Sequence, residues 1–181
     1  KIRNEISKKY PNRIFESDKS PEFNFILDKK LEWSSERNIM YFDIETWYDP
    51  ENPRDNMPEK AKQPITSIQC YLPNKKKYFV FAWHPEKTKD FDEPKMVSKG
   101  EYVFVLSKDE ESMILGFINT LNLMNIDIIT GWYSAGYDLP YIVNRCRVLG
   151  LPYKNLSPIQ DVYIRKRGEY WKVNIKGLDH I

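Results

Sequence analysis

The chain has 181 residues, which suits one domain, and its 41% hydrophobic and 14% aromatic content can build a packed core and argues against disorder. A net charge of +2 from 28 basic and 26 acidic residues leaves a mixed, solvated surface and selects no partner by itself. No apolar run approaches the ~20 residues of a membrane span, and Lys1-Ile2-Arg3-Asn4-Glu5 lacks a signal-peptide hydrophobic region, so a soluble, unsecreted chain without a membrane partner is expected. Cys70 and Cys146 sit in apolar-periodic segments without zinc-site spacing and read as reduced, buried thiols, pointing to an intracellular setting. The missing initiator Met and the stop in mid-pattern at residues 177–181 read as cuts from a longer protein.

In chain order, residues 1–38 are polar and charged and form a lead-in segment, with a short strand fitting residues 23–27. Residues 39–46 are rich in β-formers and break into Tyr48-Asp49-Pro50, which marks a first core strand. Four prolines between 49 and 64 make that stretch a surface loop. Strands at 65–72 and 77–83 should pair antiparallel through the connection 73–76. A charged loop is expected around 90–99, then a fourth strand at 102–106.

Ser107 with Glu110 reads as a capping box opening a helix whose buried face is Met113, Ile114, Phe117, Ile118 and Leu121. Residues 126–130 make a fifth strand and 131–137 a turn, and a second helix at 138–149 has Pro140 in its first turn and Gly150 past its end. Residues 161–175 alternate as a β-hairpin turning near Gly168, with a basic tip. Mixed strands crossed by helices give an α/β fold class: a mixed sheet flanked by helices, with a β-hairpin near the C-terminus. No internal repeat is evident.

The chemistry lies in carboxylates. Asp43 and Glu45 are two residues apart on a strand, so both face one side while Phe42 and Ile44 enter the core. Two acids that close repel, and a divalent cation is the simplest compensation; oxygen-only ligands favour Mg²⁺ or Mn²⁺ over zinc. The bland alternative is a solvated acidic face on an edge strand. Asp138 starts a helix just past a strand, where Asp is ordinarily an N-cap and where it could also serve as a third ligand.

The motif YFDIET at residues 41–46 resembles the first exonuclease motif of family B DNA polymerases, and TGWYSAGYDLPYIVNR at 130–145 resembles the second, at a family-like separation. Residues 13–18 resemble the segment leading into the exonuclease domain, and 175–181 the strand after its hairpin, so the likeness covers nearly the whole chain. It implies an RNase H-like 3′→5′ proofreading exonuclease domain at 39–181 acting in DNA replication, with 1–38 from the polymerase N-terminal region. Two ions would hydrolyse the 3′-terminal phosphodiester of single-stranded DNA. Asp43 would bridge both, Glu45 would bind the ion that activates water, and Asp138 would hold the ion at the leaving oxygen.

The same likeness makes Thr46, Tyr133 and Tyr137 candidate contacts to the primer 3′ end, although the family usually has Asn at the Tyr133 position and Phe at that of Tyr137. Arg165, Lys166 and Arg167 resemble the family's strand-separating hairpin and would meet phosphates. The third exonuclease motif would fall after Ile181, which implies weak or no cutting by this stretch alone. Implied partners are the remaining polymerase domains, in the cytoplasm or nucleoid of a prokaryotic or virus-infected cell.

Other readings fare worse. Gly131 to Gly136 is one residue too long for a G-x-S-x-G nucleophile elbow, leaving Ser134 as a turn residue. No Walker A sequence is present. The serious alternative is a non-catalytic RNase H-like module that binds single-stranded DNA or is purely structural.

Overall fold

A computed structural model describes residues 36–168 and 170–181, together with Lys9, Asp28 and Lys29, so the segments expected at 13–18 and 23–27 lie outside the described residues. The chain divides into two units, Lys1–Glu36 and Arg37–Ile181. The second unit holds the sheets and the candidate site.

Strand β1, Ile39–Thr46, alternates as its sequence dictates: Met40, Phe42 and Ile44 are buried, while Tyr41, Asp43 and Glu45 are exposed. It pairs antiparallel with β2, Ile65–Leu72, which pairs antiparallel with β3, Lys77–Ala82, across a short 3₁₀ turn at Pro73–Lys75. Residues 90–99 are not all loop. Lys95–Lys99 forms β4, an edge strand antiparallel to β5, Tyr102–Leu106. All five β4 residues are exposed, so no alternation announces it; the unpaired backbone edge of β5 recruits it instead. A parallel pairing of β3 with β5 completes this side of the sheet.

Helix α1, Glu110–Leu123, buries Met113, Ile114, Phe117, Ile118 and Leu121 against the sheet, and Phe117 stacks on Phe42 and meets Phe81 edge-on. The expected capping box is not formed. Asp109 is the N-cap, its carboxylate accepting the Ser112 N–H at 2.8 Å, while Ser107 Oγ is buried without a hydrogen-bond partner. Glu110 turns inward because a buried arginine offers its carboxylate more than an exposed helix end would.

Strand β6, Ile128–Thr130, lies parallel to β1 and is shorter than expected, because Ile126 and Asp127 are spent on the exit from α1: the Ile126 N–H bonds the Leu121 carbonyl, and the Asp127 N–H bonds that of Asn38. Helix α2, Asp138–Leu149, ends at Gly150, whose φ of 70° is the left-handed conformation that glycine adopts without strain.

Strands β7, Val162–Arg167, and β8, Tyr170–Ile175, form a separate two-stranded sheet turning at Gly168, and β9, Asp179–His180, returns parallel to β6. The main sheet thus has the order β4-β5-β3-β2-β1-β6-β9. A mixed sheet flanked by helices, with a C-terminal hairpin, is consistent with an RNase H-like fold. Cys70 and Cys146 are free and buried; burial holds the Cys70 thiol far above its ordinary range and pushes Cys146 up to about 12, so both are inert. Among the described residues, no helix is long and apolar enough to cross a membrane.

The helices are locked together by one ion pair. Arg145 of α2 donates from Nε to Glu110 Oε1 at 2.8 Å and from Nη2 to Oε2 at 2.6 Å, and both residues are 7% exposed. The same Oε1 accepts the Ile65 N–H at 2.7 Å, and Arg145 Nη1 donates to the carbonyls of Ala61 and Lys62. Arg145→Met should therefore strand a buried carboxylate and lower unfolding stability by about 3 to 5 kcal/mol in urea titrations followed by tryptophan fluorescence. Adding Glu110→Leu should recover part of that loss. A single variant as stable as the wild type would show that the pair does not anchor the helices.

Candidate active site

Asp138 is the first residue of α2 and not its N-cap; that position belongs to Tyr137, which makes no side-chain capping bond. The Asp138 carboxylate instead reaches across to β1, where Oδ1 accepts the Ile44 N–H at 3.2 Å. This bond sews the start of α2 to the strand at the residue between Asp43 and Glu45. Asp138 is 3% exposed. Burial, and then the negative charge of Asp43, push its carboxyl up to about 6, against the lowering effect of the Ile44 N–H.

Asp43 and Asp138 therefore converge, and Glu45 stands on the same exposed face of β1. Among the described residues, no three His, Cys, Asp or Glu side chains come together as a metal cluster, and no Lys or Arg pairs with any of these acids. Among the described residues the acids are left with like charge and without a counter-ion.

Thr46 and Tyr137 meet beside them. Tyr137 Oη lies 3.4 Å from Thr46 Oγ1 and donates to the Asn56 carbonyl at 3.1 Å, while Asn56 Nδ2 donates to Thr46 Oγ1 at 3.0 Å and to the Trp47 carbonyl at 2.7 Å. Asn56 is a participant that sequence reading missed, because nothing in a proline-rich loop distinguishes one Asn from the next.

The turn before α2 is held by two close approaches. A Cβ on Gly131 would lie 2.2 Å from the Phe42 carbonyl oxygen, so only glycine lets the turn approach β1 this closely. Tyr133 is left-handed at φ 56°, a conformation that Asn takes more readily than Tyr, and a Cβ on Gly136 would fall 2.5 Å from its ring. Trp132 is 94% exposed. Ser134 Oγ lies 3.1 Å from the Gly131 carbonyl and 2.9 Å from His180 Nε2, and burial lowers the His180 pKa. Ser134 is only 2% exposed, so this contact ties β9 to the turn and presents no nucleophile.

A cavity of about 640 Å³ lies between this turn and the hairpin, lined by Tyr133, Gly136, Leu139, Trp171, Val173 and His180; the three acids are outside it. In the hairpin, Arg165 pairs with Lys172 and Lys166 with Trp171, so Arg165 and Lys166 project from opposite faces. The side chain of Arg167 lies outside the described residues.

The family described as DNA polymerase family B, exonuclease domain, matches residues 2–177, and the chain belongs to that family. It is 30% identical over 170 residues to a DNA polymerase of Pyrococcus glycovorans, covering 92% of this chain and 19% of that one. It is 28% identical over 172 residues to a DNA polymerase of Thermococcus litoralis, with 92% and 9% covered. A DNA polymerase of Thermococcus kodakarensis is 26% identical over 170 residues, again covering 92% and 9%. The chain thus spans about a fifth or less of the length of these curated relatives.

The raised Asp138 pKa fixes a sign for stability. The folded state holds its proton more tightly than the unfolded chain does, so the contribution is complete below about pH 4 and is lost as pH rises through about 6. Asp138→Asn keeps an acceptor for Ile44 and removes the repulsion with Asp43. In metal-free buffer it should raise the melting temperature at pH 7.5, by an amount worth up to about 3 kcal/mol, and have little effect at pH 4. Equal shifts at both pH values would show that folding does not raise the Asp138 pKa.

Proposed function

We propose that residues 39–181 belong to the 3′→5′ proofreading exonuclease domain of a longer family B DNA polymerase, which removes nucleotides from the 3′ end of single-stranded DNA by metal-assisted hydrolysis. The observation that carries this reading is the convergence of Asp43 and Asp138 without a counter-ion, in a chain of the exonuclease family. Forced proximity of like charges is a cost that a structural role does not explain.

The donor set fits a hard divalent ion. Mg²⁺ is commonly held by one or two carboxylates with water and phosphate oxygens filling the other positions, and Asp43 and Asp138 supply two such carboxylates with no His or Cys completing a cluster with them among the described residues. In the two-ion arrangement of the family, Asp43 would be shared, Glu45 would serve the water side and Asp138 the side of the leaving 3′ oxygen. Bound there, Mg²⁺ or Mn²⁺ would supply Lewis-acid polarisation of the phosphate and lower the pKa of water.

The chain's own residues do the rest. The Ile44 N–H fixes one oxygen of Asp138 and so holds the carboxylate near Asp43. Exposed Asp43 and Glu45 give a phosphodiester access from solvent. Thr46 and Tyr137, braced by Asn56, form one wall, and exposed Tyr133 offers a surface for a frayed base. Arg165 and Lys166 supply phosphate contacts, and the other polymerase domains would deliver the primer end.

A second reading, a non-catalytic domain that binds single-stranded DNA, is favoured by the failure of Glu45 to complete a three-carboxylate cluster. Calorimetric titration of Mn²⁺ into the wild type and Asp43→Ala, with a labelled single-stranded oligonucleotide assayed on the same samples, separates the two. Mn²⁺ binding abolished by Asp43→Ala, with any 3′ shortening lost in parallel, is the expected result. Identical titrations in both proteins would leave the binding module as the better account.

A further inference from the structure

Opposite the acid-bearing end of β1, strand β2 carries one residue more than the pairing needs. Glu45 pairs with Ser67 and Thr46 with Ile65, which leaves Thr66 as the extra residue of a β-bulge. Strict alternation from Ile68 would bury Thr66 and expose Ile65. The bulge reverses this: Ile65 and Ile68 are fully buried, while Thr66 and Ser67 between them are half-buried. The core's demand for Ile65 accounts for the irregularity, and the irregularity falls beside Glu45.

We propose that Thr66 is a positioning residue for Glu45, assisted by Asn56, which holds the two residues that follow. The inference deepens the exonuclease reading and rests on it, since it concerns the acid that serves the water side there. Among the described residues no hydrogen bond or ion pair holds the Glu45 carboxylate, whereas that of Asp138 is held by the Ile44 N–H. The direction of Glu45 therefore comes from its backbone.

That backbone is gripped by side chains from two other segments. Thr66 Oγ1 donates to the Glu45 carbonyl at 3.1 Å. Asn56 Nδ2 donates to Thr46 Oγ1 and to the Trp47 carbonyl, and the Trp47 N–H donates to the Pro64 carbonyl at 2.8 Å. The bulge has its own anchor, because Trp83 Nε1 donates to the Ile65 carbonyl at 2.7 Å. Asn56 Oδ1 is buried without a hydrogen-bond partner, a cost that the amide bears while its nitrogen reaches both Thr46 and Trp47. A bulge bends its strand and increases the local twist, and beside a site it re-aims a side chain. Here the hydroxyl of the extra residue ties Glu45 to that bend, so deleting the hydroxyl releases Glu45 from the orientation that the bulge sets.

Calorimetric titration of Mn²⁺ into the full chain tests this without cleavage. Thr66→Val, which keeps the shape and deletes the hydroxyl, should weaken Mn²⁺ binding about tenfold or more, with Thr66→Ser restoring it and Asn56→Ala weakening it in the same direction. Thr120→Val deletes a hydroxyl that bonds the Gly116 carbonyl within α1 and should bind Mn²⁺ as the wild type does. The Thr66→Val change made in Glu45→Gln should have no further effect, a non-additivity that a general loss of stability would not produce.

Wild-type affinity in Thr66→Val, or an equal loss with Glu45 and with Gln at that position, overturns the positioning role while Asp43-dependent Mn²⁺ binding still upholds the exonuclease reading. Absence of Asp43-dependent binding in the wild type has the wider meaning: the exonuclease reading fails, and the role of Thr66 fails with it.

Discussion

The Glu110–Arg145 pair is the contact on which the geometry of the rest depends. Burying two full charges is expensive, and it succeeds here because most of the strong hydrogen-bonding positions are used: a forked pair between the side chains, the Ile65 N–H on Glu110, and the carbonyls of Ala61 and Lys62 on Arg145. Those partners come from α1, α2, the start of β2 and the end of the proline-rich loop. Apolar side chains could fill the same volume, but they would not fix the rotation of α2 about its axis. Asn144 and Tyr141 reinforce that rotation by bonding the carbonyls of Pro58 and Gln63 in the same loop.

The rotation of α2 decides where Asp138 points. With Arg145 held two turns along the helix, Asp138 is delivered to β1 and bonds the Ile44 N–H. The site thereby inverts the logic of the ion pair. At Glu110 a negative charge is buried against a forked positive partner, whereas at Asp138 it is buried against another negative charge, with backbone N–H groups to offset it. The fold has satisfied its structural acid fully and left its candidate catalytic acid under-compensated, which is the pattern expected where a ligand supplies the missing charge.

Much of this was legible because the signals were periodic. The alternation Met40, Phe42, Ile44 against Tyr41, Asp43, Glu45 fixed the acid-bearing face, and the spacing from Met113 to Leu121 gave the buried stripe of α1. The failures have a common cause: the partner was distant in sequence. Glu110 looked like a capping residue since Ser107 was near it and Arg145 was not. Asp138 looked like an N-cap because its acceptor role depends on a strand 94 residues away. Lys95–Lys99 carried no pattern at all, since an exposed edge strand is defined by its neighbour's backbone. Adjacency in sequence also differs from adjacency in space at Arg165 and Lys166, which a strand's period of two puts on opposite faces of the hairpin.

The two departures from the family's motif wording acquire different physical meanings. At Tyr137 the added hydroxyl is used: it binds the Asn56 carbonyl and approaches Thr46, while the ring lies 5.4 Å from that of Tyr141. That side chain braces the loop against the end of β1, and its ring is half-occupied by protein before any base arrives. Tyr133 has no such employment. It sits exposed in a left-handed conformation that an Asn would hold with less strain, and Gly136 is the residue whose missing side chain makes room for the ring. A strained, exposed aromatic supported by a neighbouring glycine has little to contribute to folding. Of the two tyrosines, Tyr133 is therefore the one whose side chain is open to solvent, at the edge of the cavity between the turn and the hairpin.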